Sequence, residues 1–260
     1  MSRFFKQALY GGTFLFLVLS VVGIFSYSAF KPEPSCFDGI LNQDEVGIDC
    51  DGVCLSCARQ ALKPLVVSPV FLYEIENGLY NTLIEIRNVN TRFGLPRFSY
   101  RVDFFDAAGV IQGSFTRETF IYPGEIKYIV ETALPFDKAL VRGEVSLMPA
   151  DLLTWEPEER FFSPKATVRN IQYQENSATG ELAITGLVVN ESGRTLGRVT
   201  VNAILVNEFK LQRGYSKTLI EDLQPFEERF FRIVVPAVEF ATINRDATRF
   251  YLELERPGVL

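Results

Sequence analysis

"FSYRVDFF", Phe98 to Phe105, decides the fold. It sets Phe98, Tyr100, Val102 and Phe104 on one side of an extended chain and Ser99, Arg101 and Asp103 on the other, the period of a strand with one buried face. "DAAG", Asp106 to Gly109, then turns the chain. After a second turn, "YPGE" (Tyr122 to Glu125), the alternation resumes in "EIKYIV" and directs Ile126, Tyr128 and Val130 inward. Short β-branched and aromatic runs between Gly, Pro, Asn and Asp continue through most of the chain, which predicts a mainly β fold of antiparallel sandwiches.

The pattern returns about a hundred residues later. "LIEIRNVN" (Leu83 to Asn90) is answered by "LAITGLVVN" (Leu182 to Asn190), and the Phe98-to-Phe104 face by Val199, Val201, Ala203 and Leu205. "IYPGEIKYIV" is answered by "LQPFEERFFRIVV". Two copies of one sandwich unit, each long enough to close its own core, are therefore expected at 62–150 and 164–260. A connector at 151–163 would dock Trp155, Phe161 and Phe162 on the sandwiches and limit their relative motion.

Composition removes several classes of function. The chain has 260 residues, a net charge of −6 and no basic cluster, so the electrostatic footprint of a nucleic-acid binder is missing. It contains no histidine, which eliminates the commonest general base, the Ser-His and Cys-His nucleophile pairs and the commonest zinc ligand. Paired-carboxylate chemistry is left in principle, with no motif that points to it.

"ALYGGTFLFLVLSVVGIFSYSAF", Ala8 to Phe30, is uncharged and lacks a polar face, and as a helix it is long enough to cross a hydrocarbon core. Arg3 and Lys6 precede it and acidic residues soon follow, so the positive-inside tendency places residues 1–7 in the cytoplasm and the chain from about Lys31 onward outside. The run at 8–30 exceeds what a signal peptide needs, and a retained single-pass anchor is expected; cleavage near "SYSA" is the rival. "KPEPS" at Lys31 to Ser35 then breaks the helix.

All four cysteines, Cys36, Cys50, Cys54 and Cys57, fall within the linker and module at 31–61, spaced C-x13-C-x3-C-x2-C. An even number in a short exported segment is most simply a two-disulfide framework, with three pairings open. A zinc site would ordinarily show two CxxC knuckles, and only Cys54-x-x-Cys57 is present. Asp38, Asn42, Glu45 and Asp49 offer oxygen ligands for Ca²⁺; the same residue types also serve as turn formers that bond their own backbone.

The run Cys36, Asp38, Gly39, Asn42, Glu45, Gly47, Asp49, Cys50, Gly52, Cys54, Cys57 resembles the DGxxNxxExxxDCGGxC cysteine module of bacterial and archaeal surface proteins. Asp51 stands where that module has its first glycine, at a position suited to a positive φ that Asp tolerates. Both sandwich units resemble the FxLYD family of small immunoglobulin-like envelope domains: the first through "NVNTRFGLPRFSYRVDFFDAAGVI" and "FIYPGE", the second less closely, since "ILVNEFK" lacks the Asp-x-x-Gly turn and "QPFE" lacks the glycine. No catalytic residues come with that resemblance. It implies a membrane-anchored envelope protein that presents β-sandwiches to other envelope proteins or surface polymers, with membership of an envelope assembly or secretion machine as the alternative and a carboxylate hydrolase last. Asn190-Glu191-Ser192 also matches a glycosylation acceptor.

Overall fold

The uncharged N-terminal run lies in one helix, α1 (Arg3–Phe30), which carries Arg3 and Lys6 in its first turn and exposes apolar side chains from Leu9 to Tyr27. Its hydroxyl at Thr13 donates to the carbonyl of Leu9 at 2.8 Å. The computed structural model describes residues 3–30, 35–76, 78–147, 154–176, 178–236 and 240–257. The expected Pro-containing spacer falls mostly outside them, as do the last three residues expected for the first sandwich (148–150) and the start of the connector (151–153). Two compact units emerge, Met1–Leu62 and Lys63–Leu260.

In the first unit, α1 is followed by a small loop module that ends in a single helical turn, α2 (Cys57–Gln60), capped by the Ser56 side chain.

The second unit is built from strands. β1 (Val66–Val67), β2 (Phe71–Glu76), β3 (Leu79–Arg87) and β6 (Ile126–Pro135) make one antiparallel sheet, with β3 between β6 and the β1/β2 edge. β4 (Phe93–Phe105), flanked by β5 (Ile111–Ile121) and β7 (Arg142–Leu147), makes the facing sheet. The short β8 (Glu156–Pro157) of the connector pairs with Phe93 and Gly94 at the start of β4.

The next six strands repeat this wiring. β9 (Ala166–Asn176), β10 (Glu181–Asn190) and β13 (Glu228–Val235) reproduce the β2–β3–β6 sheet, and β12 (Gln212–Leu223), β11 (Leu196–Val206) and β14 (Arg249–Glu255) reproduce β5–β4–β7.

The repeat extends to individual hydrogen bonds. Asn88 and Asn190, each at the end of its strand, aim their side-chain amides into the loop that follows: Asn88 donates to the carbonyls of Phe93 and Tyr122, Asn190 to those of Arg194, Leu223 and Gln224. Glu125 and Glu227 each accept from the backbone N–H that opens their turn, Tyr122 at 2.6 Å and Gln224 at 2.7 Å. The second copy makes both turns its sequence seemed to lack. Asn207 takes the part of Asp106, and Lys210 (φ 61°) that of Gly109 (φ 77°). Phe226 (φ 60°) stands for Gly124 (φ 67°). Loop hydrogen bonds hold the same backbone shape where glycine no longer makes it easy.

Each sandwich has its own core. Phe98, Tyr100, Val102 and Phe104 are fully buried in the first as the alternation required, and Val199, Val201, Ala203 and Leu205 in the second. β6 departs from expectation. Ile129 enters the first core, whereas Val130 and Tyr128 turn away from it into a third apolar cluster with Leu83, Ile204, Val206 and Tyr215, and Ile126 is 40% exposed. The β2–β3–β6 sheet of the first sandwich thus packs on the β11–β12–β14 sheet of the second, and both are covered on their two faces. Strands so placed lose their alternation: β3 is buried without a break from Tyr80 to Ile84.

Candidate functional site

The loop module is closed by two disulfides, Cys36–Cys54 and Cys50–Cys57. Gly47 lies beneath the second, where a Cβ would come within 2.9 Å of both sulfurs. Asp51 has φ 64°, the left-handed conformation expected at this departure from the resembled motif.

The four oxygen-bearing residues are brought together: the three carboxylates turn onto backbone N–H groups, whereas Asn42 Oδ1 is buried without a hydrogen-bond partner. Asp49 accepts from the N–H groups of Asp38 at 3.0 Å and Gly39 at 3.0–3.1 Å. Glu45 accepts from Asn42 and Asp49, each at 3.2 Å. Asp38 accepts from the N–H of Ser35, the Asn42 amide and the N–H of Ile40, and these donors hold its carboxyl below the usual carboxylate range. The carboxylates therefore brace a module whose one helix among the described residues is the single turn of α2.

Two sets of atoms lie close enough to hold a metal, Cys36 with Glu45 and Cys54, and Cys50 with Asp51 and Cys57. Their sulfurs are joined in disulfides, and a thiolate is what a metal needs from cysteine.

The second candidate is the polar fringe of the inter-sandwich seam. Asn81 donates to the Tyr215 carbonyl at 2.6 Å and accepts from the Ala133 N–H at 2.8 Å, while Asn202 donates to the Tyr128 carbonyl at 3.1 Å. Lys127 Nζ lies 3.1 Å from Glu253 Oε1, 3.7 Å from Glu125 Oε1 and 3.6 Å from the centre of the Phe120 ring. Burial in this setting raises the Glu125 carboxyl above its ordinary range. Lys217 bonds Glu131 at 3.0 Å, and the Tyr122 hydroxyl donates to the Leu254 carbonyl at 2.8 Å. Of these groups, Glu131, Asn202, Lys217 and Glu253 border a cavity of about 150 Å³, which Tyr100 also lines. Burial also raises the Tyr100, Tyr122 and Tyr215 hydroxyls, and brings Tyr128 to about 12. They stay neutral at physiological pH.

No protein-family model and no curated protein matches this chain. A solved structure of red sea bream transglutaminase is similar over 70% of this chain and 28% of that one, at 14% identity and a TM-score of 0.25, a likeness that carries no argument.

The glycosylation acceptor is corrected by the fold. Asn190 is 0% exposed and its amide nitrogen is bonded to three carbonyls, so it cannot receive a glycan in the folded chain. The connector aromatics dock as expected. Phe161 stacks on Tyr122 at 4.5 Å, and the Arg256 guanidinium lies over both Phe161 and Phe162. Sequence reasoning missed the seam. Its signal was available in "YNTLIEI", where Asn81 and Leu83 occupy positions that a half-exposed strand would give to charged residues.

Proposed function

We propose that this is a single-pass, membrane-anchored envelope protein, N-terminus in the cytoplasm, whose two joined sandwiches act outside the cell by binding or structural association and not by catalysis. The observation that carries the reading is the succession, within one short stretch, of a helix uncharged from Gln7 onward and a disulfide-closed module. Arg3 and Lys6 in the first turn of the helix, ahead of its uncharged run, supply the orientation. The recurring Asn, Asp/Asn and Glu turns support taking both sandwiches as FxLYD-type domains, and the acid-braced module as the surface-protein motif it resembles.

A subunit of an envelope assembly or secretion machine is the second reading, and one feature favours it. The outward face of β9–β10–β13 corresponds to the face that the first sandwich buries in the seam, yet there Phe230 is 62% exposed beside its cross-strand neighbour Leu187. Other envelope proteins are the partners such a face suits better than surface polymers do. A carboxylate hydrolase has the least support, because Glu131 and Glu253 at the cavity are each bonded to a lysine.

For Ca²⁺, the Asp38, Glu45 and Asp49 carboxylates already serve backbone N–H groups, which supports turn formation as their role, while Asn42 braces Asp38 through its amide nitrogen and keeps an unpartnered Oδ1.

Thiol trapping in living cells tests the compartment. Acid-quenched cells treated with a maleimide mass tag should yield untagged chain before reduction and four tags after it. Tagging without reduction would place the module in a reducing compartment and overturn the reading.

A further inference from the structure

The cysteine module is built inside out. Water-soluble domains turn apolar side chains inward and carboxylates outward. Here Asp38, Glu45, Asp49 and Asp51 are half-buried against the backbone N–H groups and the disulfides and, of the acids between Cys36 and Cys57, Asp44 alone is exposed, whereas Phe37 is 92% exposed, Val46 81% and Val53 72%, with Leu41, Ile48 and Leu55 also outside. Along Glu45 to Asp49 the inversion alternates residue by residue, acids and glycine turned in, Val46 and Ile48 turned out. Satisfying the backbone internally while facing outward with hydrocarbon is what an apolar solvent demands of a chain.

The covalent structure states which apolar medium lies within reach. Only residues 31–34 separate the end of α1 from Ser35, a tether that spans about 18 Å at full stretch. A module held that close meets the membrane surface at a high effective concentration, so even weak partition of each side chain keeps it there.

We infer that the cysteine module docks on the bilayer surface through its apolar exterior, with Phe37, Val46 and Val53 as inserting side chains. Acidic residues outnumber the single Arg59 within the module, so zwitterionic headgroups are the preferred surface and anionic ones weaken docking. The inference rests on the reading of α1 as a membrane span.

The test uses the full chain with its sole tryptophan removed (Trp155→Phe) and a new one placed singly at Phe37, at Val53 or, as a reference inside the helix, at Phe16. Each variant is reconstituted in phosphatidylcholine vesicles with and without lipids brominated near the headgroup, after mass spectrometry has verified both disulfides. Docking predicts blue-shifted emission and a roughly twofold loss of intensity with brominated lipid at positions 37 and 53, diminished when anionic lipid is added. Quenching at 16 with water-like, unquenched emission at both 37 and 53 overturns the docking and leaves the anchor standing. Absence of quenching at all three positions sinks the anchor and the docking together.

Discussion

Lys127 and Glu253 meet 3.1 Å apart where the two sandwiches join, and the lysine side chain is 1% exposed. A buried charge in that position depends on its partner. Glu253→Gln should cost about 3 kcal/mol in urea unfolding, because it leaves an ammonium desolvated with only part of its compensation. Replacing both residues with Met and Leu should restore most of the loss. A double variant as unstable as the single one would mean that the pair does not carry the seam.

The sandwiches should unfold as one. Residues 63–260 are expected to give a single calorimetric transition whose enthalpy equals the van't Hoff value, since separation would expose Leu83, Val130, Ile204 and Tyr215 together. A sandwich expressed alone from residue 164 onward should melt earlier. Two well-separated transitions in the joined chain would show that the seam does not couple them.

Sequence alternation made the cores legible and concealed their junction. Phe98 to Phe104 and Val199 to Leu205 face a single interior each, so period two describes them fully. Tyr128, Val130 and Leu83 look like core residues by the same rule, and they are buried, but against the other sandwich. Periodicity reports that a face is covered and is silent on what covers it. The Asp and Glu side chains of the cysteine module raised a parallel ambiguity, because a cation and a row of backbone N–H groups ask for the same oxygens.

The repeat permits a pH test within one chain. Asp106 is held below the usual carboxylate range by the N–H of Val110 and then of Ala108, with Lys138 assisting. A depressed folded-state value stabilises the native chain above the unfolded value near 3.8, and that contribution fades as pH falls through the lower folded value. Asn207 makes the same turn without a charge. Asp106→Asn should therefore keep the fold while the stability gap to the parent, measured by urea midpoints, narrows on acidification below about pH 4. A gap independent of pH would remove Asp106 from the acid response.

Phe226 holds a left-handed conformation while 71% exposed, so its ring contributes little in return. Phe226→Gly should raise stability by up to about 1 kcal/mol. The reverse change at the matching turn, Gly124→Phe, should lower it. Equal effects of the same sign would contradict the equivalence of the two turns.

Calorimetric titration with Ca²⁺ addresses the acidic module directly. With the Asp38, Glu45 and Asp49 oxygens already accepting from the backbone, the oxidised chain should show no binding heat at millimolar Ca²⁺. Heat that vanishes in an Asp38→Ala, Glu45→Ala variant would restore these residues as a cation site.

Surface proteolysis tests the central claim most directly. Protease added to intact cells, or to spheroplasts where a second membrane intervenes, should destroy everything beyond α1 and leave a short membrane-protected fragment that contains Arg3 to Phe30. Full-length chain that survives until detergent is added, under conditions in which a known exported control is cut, would place the sandwiches on the cytoplasmic side and contradict the account.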